Sequence, residues 1–253
     1  MAESSCAVIL AAGVSRRLMP LTRDIPKCLL VLGGRTLLER QLALLADLGI
    51  EDVVVVTGHG AEAVRAACAG RARCVHNPHF EVTNSLYSLA LAEDAMPEGP
   101  MLLLNSDVLI HPALVERLLA DPADDALLVD LDSRLDDEAM KVAISAGKVV
   151  AIDKRLDRSI TDGENVGVVK FGREGRRALF RAARGLLSEG RLSAWAPAAY
   201  QEILEERPIT AVPTDGLPWI EIDFPEDLVR AMRDVVPRID GAVGHGRARG
   251  RAR

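Results

Sequence analysis

The feature that most constrains this chain is a rhythm in its first half. Short, uninterrupted apolar runs alternate with segments of helical periodicity. "CAVIL" at 6–10, "DVVVVT" at 52–57, "RARCVHN" at 71–77 and "MLLLN" at 101–105 are the runs. A strand with no polar side must be covered on both faces, which is the condition of a parallel sheet between helix layers. The intervening segments supply those layers. In 35–49, for example, Leu37, Leu38, Leu42, Leu45 and Leu48 fall on one side. Crossovers between parallel strands are right-handed. The expected class is α/β, with a Rossmann-like, mixed and mainly parallel sheet. At 253 residues the chain is long enough for one such core.

The second half changes character. "DALLVDLD", "KVAISAGKVVAIDK" and "GENVGVVKF" read as shorter strands, with a hairpin turn at 145–148, so this part is expected to be partly antiparallel. Helix patterns follow at 173–187 and 193–206. A last strand, "WIEID", leads into a helix over 225–235. One domain is expected over 1–240. The tail 241–253, rich in Gly, Arg and Ala and without core residues, reads as disordered.

Charge narrows the function. The chain carries −6 overall, and four of its arginines lie in that tail. An acidic body argues against a nucleic-acid partner, so an anionic ligand must be held by a local cluster or a metal ion. Cys6, Cys28, Cys68 and Cys74 have no metal-binding or redox spacing. No apolar run reaches the roughly 18 residues of a membrane span, and "MAESS" does not begin like a signal peptide. The expected location is cytoplasmic, with a homodimer as the candidate assembly.

After the first strand comes "LAAGVSRRLMPLTRDIPK", 10–27. Leu10, Ala11, Ala12 and Gly13 make a small-residue turn whose N–H groups can approach an anion. A plain strand-to-helix turn with solvated arginines explains the loop equally well. Lys27 tips the balance. It follows Pro26 and enters the apolar "CLLVLGG", where an unused charge is costly. Arg17 and Lys27 can bracket a triphosphate.

Two carboxylates stand out. Asp107 ends the apolar run 101–105 and its short extension, at the carboxyl edge where open α/β sheets bind ligands. A helix cap is the alternative, but Pro112 is too distant to favour it. In "PWIEIDFPED", Glu221 and Asp223 alternate with Ile220 and Ile222. Asp107 and Asp223 thus form a two-aspartate site suited to Mg²⁺, which takes oxygen ligands alongside substrate phosphates. Lys141, Lys154 and Lys170 each interrupt a strand pattern. Strand edges use lysine routinely, and of the three Lys141 is the candidate for an acceptor phosphate. Trp195, Trp219, Tyr87 and Tyr200 are the aromatics able to hold a cationic group. Trp195 and Tyr200 are expected on one helical face, with core packing as the equal alternative.

These residues resemble a family. "VILAAGVSRRLMPLTRDIPK", with Gly13, Arg17 and Lys27 in place, is similar to the nucleotidyltransferases of the glycosyltransferase-A-like fold. "NPHFEVTNSLYSLALA", "MKV", "GENVGVVKF" and "PWIEIDFPEDL" resemble the choline-phosphate and phosphonate cytidylyltransferase group. The resemblance implies a nucleotide-binding half at 1–132, an acceptor-binding lid part at 133–218 and a closing metal strand and helix at 219–240. It implies Mg²⁺ on Asp107 and Asp223, and NTP phosphates at Arg17 and Lys27. It implies base or sugar contacts at Asn84 and Ser88, and acceptor contacts at Lys141 and Glu164. Trp195, Trp219 and Glu221 join the acceptor set, as aromatic faces for a trimethylammonium or a carboxylate for a primary amine. The implied partners are CTP and a small phosphorylated or phosphonate acceptor. A sugar-1-phosphate nucleotidyltransferase using UTP or dTTP, or a nucleotide sensor without turnover, are the competing expectations.

Overall fold

In the computed structural model, which describes residues 5–241, the apolar runs become the strands of one large sheet. The first half contains β1 (Cys6–Ala11), the small hairpin β2 (Val31–Leu32) and β3 (Arg35–Thr36), α1 (Leu37–Asp47), β4 (Asp52–Thr57), α2 (Ala61–Cys68), β5 (Arg73–His76), α3 (Ser85–Leu91) and β6 (Met101–Asn105). Next come β7 (Val108–Ile110), α4 (Pro112–Ala120), β8 (Ala126–Asp130), β9 (Lys141–Ser145), β10 (Lys148–Asp153) and β11 (Gly163–Phe171). The chain continues through α5 (Arg173–Ser188), α6 (Pro197–Ile203), β12 (Thr210–Pro213), β13 (Trp219–Glu221) and α7 (Pro225–Arg230). α7 runs on through a π turn, Ala231–Val235, into a further helical stretch at 236–241.

The nine-stranded sheet has the order β5-β4-β1-β6-β11-β8-β12-β10-β9. β5, β4, β1 and β6 are parallel, as the apolar runs require. β11 then lies antiparallel between β6 and β8, and β9–β10 is a hairpin. The antiparallel pairings fall in the second half, as expected, while β12 runs parallel to β8. The turn at Ala146 and Gly147, both with positive φ, is too short for a crossover. Two apolar clusters cover the two faces of the sheet. A third joins Leu18, Leu32, Leu37, Leu109, Ile220, Ile222 and the helix after Phe224.

Two elements differ usefully from expectation. α6 begins at Pro197, so Trp195 precedes it and shares no helical face with Tyr200. Tyr200 is buried against the Phe171 ring at 5.5 Å, whereas Trp195 is exposed. The helix after Phe224 is longer than 225–235. The tail expectation lies, apart from Gly241, outside the described residues. Among the described residues no helix is long and apolar enough to cross a membrane.

Candidate active site

The carboxyl ends of β1 and β6 open into a cleft of about 380 Å³. Leu10, Ala11, Ala12 and Gly13 line its floor. A Cβ on Gly13 would meet nothing within 4 Å, so its bareness serves open space rather than packing. The glycine this loop depends on is Gly58, after β4. A Cβ there would lie 2.5 Å from the Ala12 carbonyl oxygen and 2.6 Å from Phe80. Beyond the floor, Ser15 adopts φ 54°, and its carbonyl accepts the Thr22 hydroxyl at 2.8 Å. That reversal starts a 3-10 turn, Arg16–Leu18. Leu18 enters the core while Arg16 and Arg17 stay at the cleft rim.

Asp107 is not a helix cap. β7 intervenes, and His111 caps α4 by accepting the Ala113 N–H at 3.2 Å. β7 pairs antiparallel with β13, and Ile222 N–H donates to the Asp107 carbonyl at 3.0 Å. Because Ile220 and Ile222 are buried on one side of this strand, Glu221 and Asp223 face the other, towards Asp107. Oxygens of Asp107, Glu221 and Asp223 lie within 4.8 Å of one another.

Lys27 sits in this cage. Its Nζ is 2.7 Å from Asp107 Oδ2 and 2.8 Å from Asp223 Oδ1. Burial works against the Lys27 charge, but the two aspartates outweigh it and raise the pKa above that of an ordinary lysine. Burial likewise opposes the Asp223 charge, and Lys27 and Arg17 hold its pKa below the usual value. Glu221 is pushed up to about 8, by burial first and then by Asp107 and Asp223. Asp107 Oδ1 is buried and accepts no hydrogen bond. An orphaned carboxylate oxygen beside two further carboxylates is a donor set suited to a hard divalent cation, so the residues fit Mg²⁺.

A chain of ion pairs leads away from the cage across the cleft mouth. Arg17 Nη1 is 3.4 Å from Asp223 Oδ2 and 2.8 Å from Glu138 Oε2, with its guanidinium 5.2 Å from the Phe224 ring centroid. Glu138 Oε2 is also 3.1 Å from Lys154 Nζ, which lies 4.5 Å from the Trp195 ring centroid. Lys154 and Arg17 hold the Glu138 pKa below the usual value.

The structure thus brings Arg17, Lys27, Asp107, Glu221, Asp223 and Trp195 into one cleft, with Asn84 and Ser88 on its wall. Asn84 caps α3 by accepting the Ser85 N–H at 2.8 Å. Ser88 accepts from the buried Asn77 amide at 3.1 Å. Three sequence candidates lie outside the cleft lining. Lys141 is buried, and its ammonium donates to the Lys154 carbonyl at 2.5 Å. Glu164, opposite Lys141 in the strand pairing, accepts the Ser133 hydroxyl. Trp219 donates its indole N–H to Asp130 at 2.7 Å. Lys154, read from sequence as a strand-edge lysine, takes the cleft position instead.

Two participants left weak sequence signals. Glu138 lies in an acidic loop that looks merely solvated. Gln41 is a polar residue on the apolar side of α1, and its amide donates to the Asn105 and Val108 carbonyls at 2.8 and 3.1 Å. It thereby clamps both flanks of the Asp107 turn. A buried glutamine amid leucines is a legible mark, but not one that names its target.

Comparison with known proteins gives a consistent picture. Residues 7–196 match the MobA-like NTP transferase domain. The chain is 30% identical over 246 residues to a "Bifunctional IPC transferase and DIPP synthase" of Aquifex aeolicus, covering 95% of this chain and 54% of that protein. It is 40% identical over 121 residues to a "CMP-5'-(3-aminopropyl)phosphonate synthase" of Streptomyces rubellomurinus, covering 46% of this chain and 19% of that protein. The chain therefore spans about half or less of these relatives' lengths. Among solved structures, an inositol-1-phosphate CTP transferase from T. maritima superposes with a TM-score of 0.76 at 22% identity, over 93% of this chain and 98% of that one. That likeness shows a shared fold.

Proposed function

The chain belongs to the MobA-like NTP transferase domain family, and on that premise we propose that it is a cytidylyltransferase acting on a small phosphorylated or phosphonate acceptor. The observation that carries this reading is the cage of Asp107, Glu221 and Asp223, with Lys27 inside it and Arg17 at its rim. The choice of CTP is supported by the relatives, which include a CMP-5'-(3-aminopropyl)phosphonate synthase.

The reaction joins an ionised acceptor oxygen to the α-phosphorus of CTP. The bond from that phosphorus to the bridging oxygen breaks, and pyrophosphate leaves with the electron pair. A phosphate or phosphonate oxygen is already anionic at neutral pH, so no general base is required. Positioning and charge neutralisation then supply most of the acceleration. Arg17 and Lys27 neutralise charge on the departing pyrophosphate. Asp107 and Asp223 would hold Mg²⁺, with Glu221 beside them. When bound, the ion supplies Lewis-acid charge neutralisation at the α-phosphate. Gln41 keeps the Asp107 turn in register throughout.

At the other end of the cleft, Glu138, Lys154 and the Trp195 face offer both charge signs and a ring. That set suits a zwitterionic acceptor, with an amine or trimethylammonium at one end and a phosphorus acid at the other. Glu138 lies just before β9, Lys154 just after β10 and Trp195 just before α6, and on this reading 133–218 is the acceptor-binding part.

The test is a pyrophosphate-release panel. CTP, UTP and dTTP are each paired with phosphocholine, 2-aminoethylphosphonate, inositol phosphate and glucose 1-phosphate in the presence of Mg²⁺. Turnover is expected with CTP and a zwitterionic acceptor. Preference for UTP or dTTP with a sugar phosphate would replace this reading. CTP binding without product across the panel would point to a sensor.

A further inference from the structure

Lys27 occupies the centre of the very carboxylate set that suits a divalent cation. Its Nζ lies within 2.8 Å of both Asp107 and Asp223, and its side chain is only 11% exposed. A hard cation needs the same oxygens at about 2.0–2.6 Å. An ammonium and a divalent ion cannot both sit there, because like charges a few ångströms apart in a recessed site repel strongly. Yet Lys27 also carries a second attraction, to the phosphates of the nucleotide. We infer that Lys27 is a tethered stand-in cation: it fills the Asp107–Asp223 cage until a nucleoside triphosphate draws it away, so that metal and nucleotide enter together.

Three observations carry this. First, removing a cation from clustered carboxylates leaves uncompensated buried charge, which is strongly unfavourable. The cage therefore needs a counter-ion at every stage, and Lys27 is covalently present. Second, Lys27 opens a single 3-10 turn, Lys27–Leu29, directly after Pro26. A short turn of this kind is a place where a long side chain can re-aim without moving a sheet strand. Third, Lys27 is not needed to satisfy the whole cage, since Asp107 Oδ1 remains without a hydrogen-bond partner. Lys27 thus satisfies the set incompletely, as a replaceable occupant would.

The consequence is an ordered entry. Metal alone competes with Lys27 and binds weakly. A triphosphate offers Lys27 an alternative partner and brings its own coordinated ion. The cage is then never doubly filled, and adventitious cations are kept out of the empty enzyme. This inference rests on the metal-dependent transfer proposed above, and the experiment separates the two.

The probe is Mn²⁺ alone, followed by the paramagnetic signal of the free ion and by thermal unfolding, with wild type, Lys27→Met and Asp107→Asn. If Lys27 fills the cage at least nine-tenths of the time, wild type should bind Mn²⁺ about tenfold more weakly than Lys27→Met. Mn²⁺ should raise the melting temperature of Lys27→Met and leave wild type unmoved. Equal Mn²⁺ affinity in wild type and Lys27→Met would overturn the inference. Should Lys27→Met fail to fold without metal, the wild type still decides: tight Mn²⁺ binding without nucleotide, lost in Asp107→Asn, overturns it, and weak binding upholds it. The proposed function fails separately, if the CTP panel yields no product with Mg²⁺ or Mn²⁺.

Discussion

Asp107 is the residue on which most of the chemistry converges. It contacts Lys27, faces Asp223 and Glu221, and keeps one oxygen unpaired. Replacing it with asparagine preserves the shape and removes the charge. We expect Asp107→Asn to lower kcat/KM for Mg²⁺-dependent pyrophosphate release by about 10²–10³-fold, the scale of losing one preorganised electrostatic group. Its circular dichroism spectrum should be unchanged, and wild-type turnover would remove Asp107 from the site. Lys141 on β9 and Lys154, just after β10, make a sharper contrast, because their environments assign them different tasks. Lys154 reaches the cleft, against Glu138 and Trp195. Lys154→Ala should raise the acceptor KM about tenfold, equivalent to about 1.4 kcal/mol, while the CTP KM stays constant. Lys141, by contrast, is buried against a backbone carbonyl. Lys141→Met should act on stability, costing about 1.5–3 kcal/mol for a lost charged hydrogen bond. A result with the two effects exchanged would return Lys141 to the acceptor site.

At the scale of elements, the site depends on a clamp that no catalytic motif announces. Gln41, on α1, bridges the carbonyls of Asn105 and Val108, one on each side of the Asp107 turn. Gln41→Leu would leave both buried carbonyls short of a donor, at about 1–3 kcal/mol each. We expect kcat to fall while the CTP KM changes little, since the change loosens a ligand's position rather than removing a phosphate contact. A variant with wild-type kcat would show that β7 and β13 hold the turn unaided. β1, β4 and β6 were legible because their apolar runs admit only a doubly covered strand. The Asp107–Asp223 pair was legible because alternation placed Glu221 and Asp223 on the polar side of "WIEID". β7 was not, since three apolar residues carry no periodicity. Its pairing with β13 arises only when distant segments meet. Trp195 was misplaced relative to Tyr200 because Pro197 starts the helix later than the polar pattern suggests. The sequence reading favoured Lys141 over Lys154 for the cleft, since a lysine in a strand pattern reads identically whether it faces a cleft or the interior.

At the scale of the molecule, the parallel strands of the first half and the strands of the second half belong to one sheet, joined at β11. The cleft therefore forms across the edge of a continuous sheet, and its two carboxylate arms reach it by different routes. Asp107 comes from the parallel half. Glu221 and Asp223 come from the end of the chain, carried on β13 and pinned from behind by the third apolar cluster. Asp223 is fixed on its far side too, because Asp227 accepts both its N–H and that of Phe224, at 2.9 and 2.8 Å. Closing the site thus depends on burial of the C-terminal helix against Leu18, beside Arg17 in the loop after β1, and against Leu32 of β2 and Leu37 of α1, which follow Lys27. The wholly buried Ile222 lies at the centre of this arrangement, between Glu221 and Asp223. Ile222→Ala should cost about 2–5 kcal/mol by opening a cavity, and lower the melting temperature by about 2–4 °C for each kcal/mol. If the cluster sets the carboxylate arm, the loss should extend to function below the melting transition. Mg²⁺ required for half-maximal rate should rise, although no ligand has been changed. Val64→Ala supplies the control, since Val64 is equally buried but belongs to a different cluster, under α2. It should lose stability without shifting the Mg²⁺ requirement. Identical Mg²⁺ dependence in the two variants would mean that β7–β13 pairing positions Asp223 without help from the packing behind it.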